Sequence, residues 1–397
     1  MGIPSYFIWE YHSIVECGAG CRTFAPQRFM EMGSKRIGVI TDKGLVEAGV
    51  VSQVTDMFLI QSGGPQIIGV YDKVQQDATM NIVNDCARWF RENALDGMLV
   101  IGGGSVMDTA KGVKFLLGTQ GSDIRKALPN NGALMFRPWG KPLNFPSVFI
   151  PTTAGTGSEV SNVAVMLNEE EQVKANLIHP YIMGEVALLD PELTLSLPPK
   201  LTAATGLDAL GHAIEGMSSN QANTMSQALN CRSIKIILKN LPKAVQNGKD
   251  LAARMEMLAA SNMAIMGFSM GAMLAPGHNI AHAVGAKLRI PHGEAVGIVV
   301  PALMKHFPQY YVPCAEYLAD AFSVDPSITN PMEIIALARE RILQLMNDIN
   351  FSLQFQVPLD EQGRKDIVLA IQTDPSVQMA IPEPILMSLV KDCFPEK

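Results

Sequence analysis

Charge is scarce in this chain of 397 residues: Asp, Glu, Lys and Arg make up 17%, and the balance is −7. A nucleic-acid binder wants a basic surface to neutralise phosphates, so the balance argues against that class. Cysteine is sparse as well. The six (Cys17, Cys21, Cys86, Cys231, Cys314 and Cys393) are scattered and form no Cys-x-x-Cys pair. Cys17 and Cys21 share the Gly-rich stretch ECGAGC, which has no histidine close by and reads as a loop rather than a second metal site. No uninterrupted apolar run approaches the ~20 residues of a membrane helix. The opening, MGIPSYFIWEYHS, lacks the basic region and apolar core of a secretory signal. Its Gly2 fits an N-myristoylation pattern only loosely, because Tyr6 stands where Ser or Thr is required. These absences lead to the expectation of a cytoplasmic protein with free thiols and no membrane or nucleic-acid partner.

What the chain does have is apolar content, 48%, enough for well-buried cores, and a length that favours two domains. The first half alternates short apolar runs with helical stretches. RIGVIT (36–41), QIIGVY (66–71), GMLVIGGGS (97–105), PSVFIPTT (146–153) and EVALLD (185–190) read as strands. Such runs, without polar alternation, suit strands covered on both faces. The βα alternation predicts an α/β domain with a mostly parallel, doubly wound sheet. After LLDPELTLSLPP the strand-like runs stop and helical periodicity takes over, at 200–219, 222–240, 249–274, 277–286, 294–306, 331–348 and 360–371. The expected division is therefore 1–190, a nucleotide-binding α/β domain, and 191–397, an all-α domain.

Four side chains in the second half read as a site for one divalent metal: Asp208, His212, His278 and His292. Asp208 and His212 are four apart, as are His278 and His282, a spacing that stacks two side chains on one helix face. Imidazoles and a carboxylate suit Fe²⁺, Zn²⁺ or another first-row ion, which would act as a Lewis acid. His282 either completes the coordination or serves as a proton relay, since imidazole titrates near neutrality. In the first half, Gly102, Gly103, Gly104 and Ser105 follow a strand and open a helix that carries Asp108 and Lys111, an arrangement that suits a pyrophosphate. This turn is not the Rossmann Gly-x-Gly-x-x-Gly pattern, and no acidic residue follows at the usual distance. The acidic candidate is upstream: Asp42, at the end of RIGVIT, suits an adenosine ribose and would repel a 2′-phosphate, although alone it reads as a helix N-cap. PTTAGTGSEV (151–160) is a third Gly/Thr-rich turn directly after a strand. Three such turns at strand ends point to one shared nucleotide cleft.

GGGSVMDTAKG, PTTAGTGSEV, LTAATGLDALGHAIEG and HNIAHAVGA…PHG together resemble the iron-containing (group III) alcohol dehydrogenases, which have a dehydroquinate synthase-like fold. The resemblance runs in order from about Phe7 to past His306. It implies hydride transfer between a small alcohol or aldehyde and a nicotinamide cofactor, NAD or alternatively NADP, with Fe²⁺ or alternatively Zn²⁺. By motif match it makes Asp208, His212, His278 and His292 the ligands and His282 a non-ligand near the nicotinamide. It assigns Gly102, Gly103, Gly104 and Ser105 to the pyrophosphate, with Asp108 in support, and brings Thr152, Thr153 and Lys174 to the cofactor. Asp42 falls where many NAD-preferring members carry Asp. A homodimer or larger homo-oligomer is also implied. Two stretches depart from the family pattern. GFSMGAMLAPGH replaces the usual run before His278, and HGEAVGIVV follows the last ligand. HGEAV resembles dehydroquinate synthase, which makes a non-redox NAD- and metal-dependent lyase or cyclase the alternative reading.

Overall fold

The computed structural model describes residues 6–60, 63–128, 134–135, 140–171, 173–271, 275–374, 377 and 379–397. Gly2, and residues 272–274 of the altered segment before His278, lie outside them. The chain divides into two compact units, one built from Glu10–Thr153 with Gly157–Ser196, the other holding Leu197–Lys397 with Ala154–Thr156.

The first unit contains strands β1 (Ile14–Cys17), β2 (Arg36–Ile40), β3 (Gln66–Tyr71), β4 (Gly97–Gly102), β5 (Leu134–Met135), β6 (Ser147–Pro151), β7 (Val163–Asn168), β8 (Val173–Ile178) and β9 (Val186–Leu189). Six of them form one sheet in the order β1-β9-β6-β4-β2-β3, every neighbouring pair parallel. Helices α1 (Ala25–Glu31), α2 (Lys43–Glu47), α3 (Ser52–Thr55), α4 (Met80–Glu92), α5 (Gly104–Gly118) and α6 (Ile124–Ala127) run between them. The apolar runs are explained by what the sheet buries. Along β4, Met98 and Val100 pack into one hydrophobic cluster with α4 and α5, whereas Leu99 and Ile101 pack into a second with α1 and α3. Successive strand side chains point to opposite faces, so both faces are covered and the sheet is doubly wound, as expected. Four strands, β1, β5, β7 and β8, are missing from the expected set. Edge strand β1 (IVEC) has both end residues exposed, and β7 pairs antiparallel with β8 in a separate small sheet ordered β5-β8-β7.

The second unit is helical: α7 (Pro199–Ser218), α8 (Thr224–Gln246), α9 (Leu251–Gly271), α10 (Pro276–Leu288), α11 (His292–His306), α12 (Ala315–Ala321), α13 (Pro331–Asp348), α14 (Glu361–Thr373) and α15 (Glu383–Cys393). Its centre is α7, of which almost every residue from Thr202 to Ser218 is buried. Close helix approach needs small residues at the contact. A Cβ at Gly211 would stand 2.3 Å from Cγ1 of Val296, so this glycine lets α11 lie directly on α7. Among the described residues no single helix is long and apolar enough to cross a membrane.

Candidate active site

The three Gly/Thr-rich turns meet because their strands are neighbours. The chain leaves β2 for β3 on one side and returns to β4 on the other, so a topological switch point falls between β2 and β4. Ligands of open α/β sheets bind outside the carboxyl ends of the strands at such a point. Asp42 follows β2, Gly102 ends β4, and Thr152 follows β6, the next strand along. The Thr152 N–H donates to the Gly102 carbonyl at 3.0 Å.

The glycines are needed here for space. A Cβ at Gly102 would come within 2.6 Å of the Val106 side chain, and one at Gly103 within 3.3 Å of Thr153 Oγ1. Gly103 at the N-cap brings no side-chain cap to α5, so the N–H groups at the start of its first turn lack intrahelical partners. Together these make a cradle of backbone donors suited to a pyrophosphate. Asp42 caps α2, its Oδ1 accepting from the Leu45 N–H at 3.0 Å. The sequence-level alternative for this residue is thus also what the geometry shows.

Around the cradle two side-chain clamps appear. Ser105 Oγ accepts from the Asp77 N–H at 3.1 Å, and Asp77 Oδ1 accepts from Lys174 Nζ at 2.8 Å. Asp77 thereby links two expected cofactor residues, yet it escapes sequence reasoning; its φ of 75° marks a special turn only once the backbone is seen. Asp108 makes the second clamp. It accepts from Ser158 Oγ at 2.6 Å and from the Val165 N–H at 3.1 Å, tying α5 to the PTTAGTGSEV turn and to β7. Lys111, fully buried, donates to Ser158 Oγ and to the Val163 carbonyl, both at 2.6 Å, and lies 3.5 Å from Asp108. Burial pushes its ammonium down to about 8, against the pull of Asp108 and Glu159.

In the helical unit Asp208 and His212 project from α7, His278 and His282 from α10, and His292 from the first turn of α11. Donor atoms of Asp208, His278 and His292 all lie within 4.8 Å of one another. From Asp208 Oδ1 the distances are 3.4 Å to His292 Nε2, 3.7 Å to His278 Nε2 and 3.9 Å to His212 Nδ1. His212 stacks on His278 with ring centroids 4.3 Å apart, and His282 sits against His292 at 5.0 Å. Phe268 of α9 walls the group, 5.0 Å from His212 and 5.2 Å from His278.

The electrostatics fit a cation. Burial alone would raise the Asp208 carboxyl, but the three imidazoles around it outweigh that and hold it well below the usual range. Burial pushes His212 down to about 3. The same burial acts on His278, yet its attraction to Asp208 and Glu215 wins and raises it to about 9. Asp208 Oδ1, His212 Nδ1 and His278 Nε2 are buried and make no hydrogen bond among the described residues. Unpaired buried polar groups cost about 1–3 kcal/mol each. One divalent ion would pair all three, and the imidazole–carboxylate donor set suits Fe²⁺ or Zn²⁺.

The comparisons with known proteins agree over both halves of the chain. The family model described as "Iron-containing alcohol dehydrogenase" matches residues 13–191. The one described as "Fe-containing alcohol dehydrogenase family, C-terminal" matches residues 202–371. Long-chain-alcohol dehydrogenase 1 of Geobacillus thermodenitrificans is 33% identical over 369 residues, covering 92% of this chain and 85% of its own. NAD-dependent methanol dehydrogenase of Bacillus methanolicus is 34% identical over 284 residues, 72% of this chain and 71% of its own. Among solved structures, 1,3-propanediol oxidoreductase superposes with a TM-score of 0.88 at 27% identity, covering 98% of this chain and 100% of its own.

Proposed function

The chain belongs to the iron-containing alcohol dehydrogenase family, and from that premise we propose that it interconverts a small alcohol and its aldehyde, with NAD as the redox partner. The observation that carries this reading is the cluster of donor atoms from Asp208, His278 and His292, all within 4.8 Å of one another, with the buried His212 Nδ1 3.9 Å from Asp208 Oδ1. Asp208, His212, His278 and His292 would hold Fe²⁺ or Zn²⁺. The Gly102–Ser105 cradle would take the pyrophosphate, with Thr152, Thr153 and Lys174 lining the cofactor. When bound, the ion supplies Lewis acidity toward a substrate oxygen and the nicotinamide takes up or returns a hydride.

The chain's own residues do the positioning. Asp108 and Lys111 fix the 152–160 turn against α5. Asp42, with Oδ1 engaged at the α2 cap, would meet an adenosine ribose through Oδ2 and disfavour a 2′-phosphate. Phe268 shields the imidazoles of His212 and His278 from water. His282, whose ring sits against that of His292, would carry a proton away from the site. Free thiols at all six cysteines suit a cytoplasmic enzyme, and we extend the reading to a homo-oligomer by kinship.

The test is a panel of alcohols and aldehydes offered to Fe²⁺- or Zn²⁺-loaded protein with NAD(H) and NADP(H). Net NADH accumulation with an alcohol supports the reading and excludes the lyase or cyclase alternative. No cofactor-linked turnover across the panel removes it.

A further inference from the structure

Glu215 is completely buried, one turn beyond His212 on α7, and sequence reasoning passes over it. A buried carboxylate requires partners, and among the described residues its hydrogen-bond partners come from the start of α10. Oε1 accepts from the Gly277 N–H at 2.5 Å, and Oε2 accepts from the His278 N–H at 2.9 Å and lies in contact with His278 Nδ1. Helix α10 has no side-chain cap of its own, its N-cap position being Ala275. A residue on another helix therefore satisfies the donors that the helix start leaves open.

We propose that Glu215 is a positioning residue of the metal centre, acting through His278; the proposal rests on the metal-site reading above. Two backbone N–H donors and the His278 ring nitrogen converge on its two oxygens. Receiving Nδ1–H fixes the His278 tautomer that turns Nε2 toward Asp208, where that nitrogen makes no other bond among the described residues. The backbone bonds at Gly277 and His278 lock the ring's anchor point at the same time. Glu215 also completes the charge balance. Three neutral imidazoles and Asp208 leave a divalent ion with one uncompensated positive charge, and the Glu215 carboxylate, one imidazole away, cancels it.

The experiment is Zn²⁺ affinity by chelator competition, for wild type, Glu215→Gln, His278→Ala and the double variant, with far-UV circular dichroism to monitor folding. Gln offers one acceptor oxygen and turns an amide toward donors, so affinity is expected to fall 10- to 100-fold, as when other outer-shell partners are removed. In the His278→Ala background the same change should have little further effect. A simple packing role would instead give additive losses. Glu215→Asp keeps the buried charge but shortens its reach; it should show the same loss and stands in if the Gln variant does not fold. A variant-free readout is the proton spectrum of Zn²⁺-loaded wild type, in which His278 Nδ1–H should be strongly deshielded. Unchanged affinity in a folded variant, additive losses, or no deshielded proton overturns the proposal. Wild type that binds no Zn²⁺ would instead remove the metal-site reading itself.

Discussion

Asp108→Asn tests whether the clamp at the glycine turn is electrostatic. The substitution keeps the shape: an amide oxygen can accept from Val165 as the carboxylate does at 3.1 Å, while an NH₂ facing Ser158 reverses the hydrogen bond now at 2.6 Å. What is lost is the negative charge 3.5 Å from fully buried Lys111. Removing one member of a buried ion pair typically costs 3–5 kcal/mol. Asp108 keeps 17% exposure and the ammonium retains Ser158 and the Val163 carbonyl, so the low end, about 3 kcal/mol, is expected at neutral pH. The pH dependence has a definite sign. Lys111 titrates at about 8 in the folded protein, below its unfolded value of roughly 10.4. Its burial is therefore a cost present in full below pH 8, and stability contributed by this group rises as pH climbs from 8 toward 10. Without Asp108 the ammonium loses its proton more readily, so in the variant that rise begins at lower pH. Urea unfolding of both proteins from pH 6 to 9 should show a deficit that is largest at pH 6 and shrinks toward pH 8. NADH affinity, followed by cofactor fluorescence, should weaken as the 152–160 turn loosens. A deficit below about 1 kcal/mol that does not change with pH would refute the charge argument, since that is the size of an ordinary neutral hydrogen bond.

His278→Ala should lose its metal on dialysis while still binding Zn²⁺ weakly at high concentration, whereas His282→Ala should retain it and slow turnover; metal analysis showing loss in both would make His282 a ligand. Asp42→Gly should relax the preference for NADH over NADPH at a cap cost of only a few tenths of a kcal/mol, and unchanged discrimination in steady-state assays would remove Asp42 from the ribose. Metal uptake by the metal-free protein should displace a proton from His278, which is raised to about 9. Apparent Zn²⁺ affinity should therefore climb about tenfold per pH unit from 7 toward 9 and then level off. Affinity that stays flat over that range would show that this imidazole is already neutral.

Periodicity made most of the fold legible. Strands buried on both faces carry unbroken apolar runs, and β2, β3, β4, β6 and β9 all have them. β1, with its exposed ends, and β8, with Lys174 and Asn176 interrupting the apolar positions, give no such signal, whereas β7 (VAVMLN) has the apolar run and lies in the separate small sheet. Helices α12 and α15 escape for a related reason: 7 and 11 residues hold too few turns to establish a period. In the candidate site, helical spacing exposed Asp208 and His212, and the strand-end turns drew attention to Gly102 and Thr152. Glu215 shows the limit. A glutamate on a helix normally faces water, and its complete burial depends on where α10 begins, which no local pattern encodes. Asp77 escapes for the same reason, as its partners lie 28 and 97 residues away in sequence.

The candidate ligands are drawn from three helices of a single unit, and Asp208 and His292 are far apart along the chain. An ion held by both would close a loop of roughly 84 residues, and in the chain-entropy account a covalent cross-link of that span removes about 4–5 kcal/mol of disorder from the unfolded chain. The centre would then double as a removable staple. Chelation, besides stopping chemistry, would set α7, α10 and α11 free to separate, so that resistance to proteolysis within 199–306 would report occupancy of the site even where no substrate is known.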